Sequence, residues 1–359
     1  MRYIKNIIAM FTLISLMSAC THDILSPEQF VYQTATRHGR QVAGMNIQVF
    51  TRDNLLLDKS FGYANYAEGI LIDPYTVFDW ASITKPLVWI AILQLAEQGK
   101  LDLNADIRNY ISYEVLTGLR YPITVNHLIT HSSGWLRSDI SWPHFGVQGE
   151  GAEQISLGHF LRGTEIVQRF TPGEVPTYSF HNLVLASYIA EQISGIAFYE
   201  YVHRYIFTPL NMNQTALRGD LSDNIWVKNQ REHIICYLSA DRLDTFEWLR
   251  TNLTIDMAIG TISDLRMLAL AILPDENGSS VLFEDAETLS KLLYSFAYEE
   301  SAFIDNENGL LALNGMMGCI STLLICLNRG MGVIVMVNHR SEPIFNRVSF
   351  LREILDRFE

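Results

Sequence analysis

Strand-like segments at opposite ends of the 359-residue chain most constrain what it can fold into. Residues 44–50 alternate apolar and polar side chains, and residues 55–62 return after a polar turn, which predicts a β-hairpin. Residues 310–315, 319–327 and 333–338 predict an antiparallel series near the C-terminus. Strands at both ends with helices between them indicate one α+β lobe that both termini build.

Helical spacing dominates the middle of the chain. Apolar residues repeat with helical spacing from 86 to 98 and from 183 to 194, and a glycine follows each run as a suitable helix end. The predicted fold class is α+β, with an antiparallel sheet flanked by helices and a central helical lobe. The sheet lobe is expected over about 28–105 and 255–359, and the helical lobe over about 106–254.

The N-terminal segment has the pattern of a targeting signal. Two basic residues precede an apolar run at 7–17, which is too short to span a bilayer comfortably, and small residues then precede Cys20. This predicts a bacterial lipoprotein signal peptide over 1–19, with Cys20 as the lipidated first mature residue. A plain secretory signal with an incidental cysteine is the alternative. Thr21 favours an outer-membrane anchor facing the periplasm in a Gram-negative host.

Charge and cysteine content exclude several classes of protein. The formal net charge is -13 and no basic stripe occurs, which argues against a nucleic-acid partner. Cys319 and Cys326 are seven residues apart on one predicted strand, so they should lie on opposite faces and not bond to each other. Together with Cys236 they are interpreted as small apolar core residues. No Cys/His cluster has zinc-site spacing, so neither a metal nor a cofactor is predicted.

A serine and a lysine three residues apart, Ser82 and Lys85, stand directly before Pro86. Proline is tolerated in the first turn of a helix, so Pro86 places the helix start near Ser82. A hydroxyl there lies at the positive end of the helix dipole, and a lysine one turn on, held in a desolvated cleft, can accept its proton. The alternative is equally open on this stretch alone: Ser82 as a helix cap and Lys85 as a solvated surface charge.

Several segments in order resemble the serine β-lactamase family, in its class C and D-alanyl-D-alanine-peptidase-like branch. They are "TVFDWASITKPLVWIAILQLAEQGKLDL", "ITVNHLITHSSGWL", "PGEVPTYSFHNLVLASYIAEQISG" and "STLLICLNRGMGVIVMVNH", and the resemblance spans about residues 40 to 340. It implies the β-lactamase/transpeptidase-like fold. It also implies catalysis through an acyl-enzyme, with Ser82 as nucleophile and Lys85 as its proton acceptor.

Two further motifs of the family are altered here. The family's Tyr–x–Asn or Tyr–Ser–Asp motif is Tyr178–Ser179–Phe180, so the proton-transferring tyrosine is kept while an aromatic replaces the polar third residue. The family's third motif, Lys or His, then a small residue, then Gly, aligns with Leu313, Asn314 and Gly315, and Leu313 replaces the cation. By resemblance, the backbone N–H groups of Ser82 and Met316 form the oxyanion hole, which needs no particular side chain.

Other polar residues receive modest roles. His181 and Asn182 follow the tyrosine motif and are candidates to compensate for its altered third residue. His131 is interpreted as a structural hydrogen-bonding residue, and Asp264 and Glu97 as a helix cap and a solvated helix-face residue.

Two functions remain open. The first is a lipid-anchored serine hydrolase of the bacterial envelope that acts on an ester or amide, with a small-molecule or peptidoglycan-derived substrate. Since Phe180 and Leu313 make the cleft more apolar, neutral esters fit better than anionic β-lactams or D-alanyl peptides. The second is a catalytically impaired binding or scaffold module for peptidoglycan or an envelope partner, with the membrane reached through the lipid anchor in either case.

Overall fold

A seven-stranded antiparallel sheet joins the two ends of the chain. The structure, a computed structural model, describes residues 25–38, 43–112, 118–136, 140–141, 155–162, 164–238, 245, 257–298, 302–316, 319–340 and 348–358. At its centre Gly44–Thr51 pairs with Met331–Val337, with Met45 opposite Val337, and the strands, numbered along the chain, lie in the order 3-2-1-12-11-10-9. The predicted α+β class and the joining of both termini in one sheet are therefore confirmed.

The sheet uses β1 (Gly44–Thr51), β2 (Leu55–Asn65), β3 (Ile70–Leu71), β9 (Ala302–Asp305), β10 (Leu310–Met316), β11 (Ile320–Cys326) and β12 (Met331–Val337). Short strands β4 (Phe78–Asp79), β7 (Thr215–Ala216) and β8 (Ile259–Gly260) form a three-stranded sheet in the order β4-β8-β7. A two-stranded sheet pairs β5 (Ile140–Ser141) with β6 (Glu165–Ile166). The predicted hairpin and the predicted C-terminal strand series are both present.

The α-helices are α1 (Pro27–His38), α2 (Lys85–Glu97), α3 (Val125–Ile129), α4 (Leu157–Arg162), α5 (Phe180–Ser194), α6 (Phe198–Val202), α7 (Ile225–Arg231), α8 (Ile262–Ile272), α9 (Ala286–Ser295) and α10 (Val348–Asp356). Gly99 and Gly195 follow α2 and α5 with positive φ, as the sequence predicts. The division of the chain into two lobes at the stated boundaries stays a prediction.

The two faces of the large sheet contact different layers. Alternate residues of β10 show this, because Leu310 and Ala312 pack with α1 and α10 on one face. Leu311 and Leu313 belong instead to the large core on the other face, which α2, α5 and α8 complete. The proposed site lies on this second face, where the sheet meets the helices.

One assignment of a carboxylate is wrong and a second is incomplete. Thr261, not Asp264, caps α8, and the buried Asp264 instead accepts hydrogen bonds from the backbone N–H of Gln214 and the hydroxyl of Thr215, each at 2.7 Å. Glu97 is more than a solvated helix-face residue, because its carboxylate accepts the N–H groups that begin α9. Both contacts join segments that are distant in sequence, so no local pattern indicates them.

The cysteine assignment is also wrong in part. Cys236 and Cys319 form a disulfide across a sequence separation of 83, with Cα atoms 5.6 Å apart. Tertiary packing brings the loop after α7 against the start of β11, which residue spacing could not show. Cys326 is a free, buried cysteine on the opposite face of the sheet from Cys319, as predicted.

The predicted signal peptide and Cys20 lie outside the described residues. Among the helices that are described, none combines the length and the apolar character needed to cross a bilayer.

Candidate active site

The segment that carries Ser82 is a sharp turn from strand into helix. After β4, residues Ala81–Thr84 form a 3-10 helix that continues directly into α2, and Pro86 lies in the first turn of α2. Ala81 has a φ of +47°, a left-handed conformation that costs a residue with a Cβ about 1–2 kcal/mol. Strain of this kind is common at functional turns. The turn leaves the Ser82 side chain partly exposed at the start of the helical segment.

Contacts from three directions hold this turn. Strand β4 pairs with β8, and both of its residues are buried. The N–H of Trp80 donates to the carbonyl of Ala258, and the N–H of Ala258 donates to the hydroxyl of Thr84, each at 2.8 Å. From β11, the hydroxyl of Ser321 donates to the carbonyl of Asp79 at 2.8 Å. The strained turn is thus restrained on both sides of Ser82.

Lys85 is buried, with 3% of its surface exposed. Its Nζ lies 4.3 Å from the centroid of the Tyr178 ring, which is within cation–π range. The interpretation of Lys85 as a solvated surface charge is therefore wrong. Two residues that are 93 positions apart by their numbers, and that the sequence assigns to one site, lie in contact.

Tyr178 stands directly before α5. Ser179 is the N-cap of this helix, and its hydroxyl accepts the N–H of His181. The Tyr178 ring is partly buried and meets the ring of His131 edge-on, with centroids 5.0 Å apart. No sequence pattern indicates that His131 lies beside this tyrosine. The polar "THSSG" segment was its only signal.

Strand β10 passes close to the Ser82 turn. A Cβ on Gly315 would lie 2.1 Å from the carbonyl oxygen of Trp80, so only glycine fits at this position. Leu313 is buried on the same face of the strand, and Asn314 alternates to the other face. Met316 ends the strand with 53% of its surface exposed. The residues aligned with the third motif therefore border the turn, with Gly315 in direct contact.

Apolar side chains surround Lys85. A cavity of about 20 Å³ beside it is lined by Phe180, Leu183, Val184, Met257, Val88 and Thr84. Phe180 is the first residue of α5, so the aromatic that replaces the family's polar residue contributes directly to this lining. Among the described residues that line this cavity, none besides Lys85 carries a charge or a side-chain amide.

His181 and Asn182 contribute to packing among the helices. His181 is fully buried with its ring edge-on to Trp135, and burial lowers its pKa to about 3. Asn182 accepts a hydrogen bond from the Ser133 hydroxyl at 2.9 Å and lies 3.0 Å from His131 Nδ1. These contacts favour structural roles over compensation for Phe180.

One group of potential metal ligands occurs among the described residues. Asp79, Cys236 and Cys319 bring their ligand atoms within 4.8 Å of one another. The two sulfur atoms are joined in the disulfide and are not available as thiolates, which are the form of cysteine that binds metals.

Curated proteins of similar sequence extend along most of the chain. Protein flp of Staphylococcus aureus strain NCTC 8325 is 22% identical over 333 residues, which are 86% of this chain. The chain spans 62% of the length of that relative. Penicillin-binding protein 4* of Bacillus subtilis is 29% identical over 166 residues, covering 46% of this chain and 36% of the relative.

Solved structures share the fold at low sequence identity. FmtA from Staphylococcus aureus matches with a TM-score of 0.68 and 17% identity, over 93% of this chain and 90% of that chain. An octameric penicillin-binding protein homologue from Pyrococcus abyssi matches with a TM-score of 0.66 and 21% identity, over 87% of this chain and 72% of that chain. EstCE1, described as a hydrolase with promiscuous acyltransferase activity, matches with a TM-score of 0.65 and 17% identity. The match covers 92% of this chain and 97% of that chain.

A family model gives the assignment. The model described as Beta-lactamase matches residues 32–232, which include Ser82, Lys85 and Tyr178. Since this span is more than half of the 359 residues, the chain belongs to the Beta-lactamase family, as its motifs predict.

Proposed function

We propose that this protein is a serine hydrolase that cleaves an ester or amide through an acyl-enzyme. The observation that carries the proposal is the buried Lys85, one turn after Ser82, with its Nζ 4.3 Å from the Tyr178 ring centroid. A buried lysine side chain is costly without a role, and here it lies beside a hydroxyl-bearing side chain and near a partly exposed serine.

Acylation would proceed by addition to the substrate carbonyl followed by elimination of the leaving group. The Ser82 Oγ forms a bond to the carbonyl carbon while the Lys85 amine, in its unprotonated form, accepts the hydroxyl proton. The tetrahedral intermediate collapses with cleavage of the bond to the leaving oxygen or nitrogen. The Tyr178 hydroxyl delivers a proton to that leaving group and is reprotonated through Lys85, so the serine proton leaves with the product.

Charge on the carbonyl oxygen would be stabilised by the backbone. The proposed donors are the N–H groups of Ser82 and Met316, one on the strained turn and one at the end of β10. Water then attacks the acyl-enzyme with its proton passing to the same relay, Ser82 regains its hydroxyl, and the carboxylic acid leaves.

Neutral esters are the proposed substrate class. Leu313 offers no cation to a substrate carboxylate, and Phe180 offers no amide to a substrate amide, so an anionic amide would lose two contacts. Among proteins of this fold, EstCE1 is a hydrolase with acyltransferase activity, which is consistent with ester chemistry.

A non-catalytic function is the second candidate. The replacement of the family's third-motif cation by the buried Leu313 favours it, because a binding or scaffold module needs no anion-binding residue at that position. In this case the cleft would bind a peptidoglycan fragment or an envelope partner without turnover.

The proposed location is the bacterial cell envelope. The pattern of residues 1–20 supports export and lipidation at Cys20, and the disulfide is of a kind that persists in oxidising compartments. Metabolic labelling of the expressed protein with an alkyne fatty acid, compared with Cys20→Ala, tests the anchor. Equal labelling of the variant would contradict it.

The activity test uses purified protein with a fluorophosphonate probe, nitrophenyl acyl esters and a fluorescent penicillin. We expect the fluorophosphonate to label Ser82 and the esters to be hydrolysed, with the penicillin reacting more slowly. Ser82→Ala should abolish labelling and turnover, and Ser290→Ala, at an exposed serine on α9, should change neither. If wild type and Ser82→Ala behave alike, the hydrolase proposal fails. Binding of peptidoglycan fragments by both proteins would then support the second candidate.

A further inference from the structure

We propose that His131 is a positioning residue that holds the Tyr178 ring in the orientation needed for proton transfer. This inference rests on the proposed hydrolase function. It assigns to His131 a role through Tyr178 and gives it no contact with substrate.

His131 contacts three consecutive residues around the tyrosine. Its carbonyl accepts the N–H of Thr177 at 2.7 Å, and its Nδ1 accepts the N–H of Ser179 at 3.4 Å. Between these two contacts, its ring meets the Tyr178 ring edge-on at 5.0 Å. Backbone is therefore held on both sides of residue 178, while the side chain of that residue packs against the same histidine.

The hydrogen bonds determine the tautomer of His131. The backbone N–H of Ser179 can only donate, so His131 Nδ1 is an acceptor and the ring carries its N–H on Nε2. The Asn182 amide, whose oxygen accepts the Ser133 hydroxyl, then directs its NH₂ group at the same Nδ1, 3.0 Å away. These hydrogen bonds hold the His131 ring in one orientation.

The same histidine connects Tyr178 to the helix that carries the lysine. Its ring lies 5.6 Å from that of Trp89, edge-on, and Trp89 is four residues after Lys85 on the same side of α2. Lys85, Tyr178, His131 and Trp89 therefore form a closed ring of contacts, with α2 as one side of it. Because of this ring, the tyrosine hydroxyl is held relative to Lys85.

His131 is buried in an energetically unfavourable backbone conformation. It is buried, with 1% of its surface exposed, and its φ of +50° is in the left-handed region. That conformation directs both its carbonyl and its ring towards the segment at 177–179. Small displacements of a catalytic group reduce rates steeply, about a hundredfold for 1 Å, so loosening Tyr178 should reduce turnover.

The test is a double-mutant cycle on ester hydrolysis with His131→Asn and Tyr178→Phe. Asparagine keeps an acceptor near the Nδ1 position and tolerates positive φ, but it lacks the ring. We expect His131→Asn to lower kcat about tenfold with KM within about twofold, and His131→Ala to lower kcat about a hundredfold. In the Tyr178→Phe background, which keeps the phenyl ring but not the hydroxyl, His131→Asn should change kcat less than about twofold.

The matched control is His181→Asn, at an equally buried histidine whose ring packs on Trp135. It should change kcat by the same small factor in both backgrounds. An equal loss of kcat from His131→Asn with and without the Tyr178 hydroxyl would show a general structural role and overturn the inference. Failure of both His131 variants to fold would also overturn it. Absence of turnover in wild type would instead refute the hydrolase function, and the inference with it.

Discussion

Lys85 is an ionisable side chain held almost entirely out of water, and apolar residues line the cavity beside it. Burial of an ammonium group is unfavourable unless other groups compensate, so a structural role would be better served by an apolar residue. The Ser–x–x–Lys spacing by itself is equally compatible with a catalytic lysine and with a lysine exposed to solvent. The burial of Lys85 results from the packing of α5 against α2 and from the position of Tyr178, which neighbouring residues do not encode.

Lys85→Met should separate function from stability. Methionine has similar length and no charge, so we expect kcat for ester hydrolysis to fall about 10²–10⁴-fold, the range typical of lost acid–base catalysis. The free energy of unfolding should stay within about 1 kcal/mol of wild type or rise, as is common when a functional polar group is removed from an apolar site. Urea unfolding and steady-state kinetics measure both.

Lys100→Met is the matched control, at an exposed lysine just beyond the other end of α2. It should alter neither property. A Lys85→Met protein that is several kcal/mol less stable but retains its turnover would show that the lysine is structural.

The buried histidines should make stability depend on pH. Burial lowers the pKa of His181 from 6.5 to about 3, and that of His339 to about 4. Below pH 6.5 the unfolded chain binds protons that the folded chain excludes, so stability present above pH 6.5 is lost as the pH falls towards 3. Burial raises the pKa of Asp264, which acts in the opposite direction.

His181→Phe should reduce this dependence. Urea unfolding of wild type and variant between pH 6.5 and 4 should differ in slope by up to about 1.4 kcal/mol per pH unit, the value for one proton. The phenyl ring keeps an aromatic contact with Trp135. Parallel stability curves for the two proteins would show that His181 binds its proton equally in the folded and unfolded states.

At the scale of elements, the contact between β10 and the Ser82 turn brings two predicted parts of the site together. The carbonyl of Trp80 occupies the space where any larger residue at position 315 would place its Cβ. The same approach brings the end of β10, with the proposed Met316 N–H donor, to the side of the turn. Strand periodicity predicted β10, and resemblance indicated Gly315, but only the assembled fold shows what Gly315 contacts.

Gly315→Ala should therefore move β10 away from the turn. We expect a loss of about 1–3 kcal/mol of stability from overpacking and, in the folded protein, a fall in kcat of about 10²-fold or more from the displaced oxyanion donor. Thermal unfolding and kinetics on the folded fraction measure the two effects.

Gly332→Ala provides the control on the same sheet. Its Cβ would meet the ring of Phe50 at 2.4 Å, remote in sequence from the site motifs. It should lower stability by a similar amount and leave kcat unchanged. Equal effects of both substitutions on kcat would mean that the contact at Gly315 serves only packing.

At the scale of the whole molecule, the disulfide links the loop after α7 to the start of β11, three residues beyond Met316 in the numbering. It closes a loop that contains the β8 strand, α8, α9 and the edge of the sheet. A crosslink of this span restricts the unfolded chain, which is the usual source of its stabilisation.

Replacement of both cysteines, Cys236→Ala with Cys319→Ala, should lower the free energy of unfolding by about 2–4 kcal/mol. Denaturant unfolding with and without a thiol reductant measures this, and the reductant should shift wild type but not the double variant. Cys326→Ala, at the free buried cysteine, should keep the response to reductant. A wild-type midpoint that is indifferent to reductant would contradict a bond that contributes to stability.

The sequence by itself determined the elements and their order: the hairpin, the C-terminal strands, the helix after Pro86 and the helix before Gly195. These depend on side-chain periodicity, proline and glycine, whose effects act within a few residues. Only the tertiary structure decided the burial of Lys85, the edge-on contact of His131 with Tyr178, the Cys236–Cys319 bond and the partners of Asp264. Each of these joins groups that are far apart along the chain, and such contacts are set by packing rather than by local pattern.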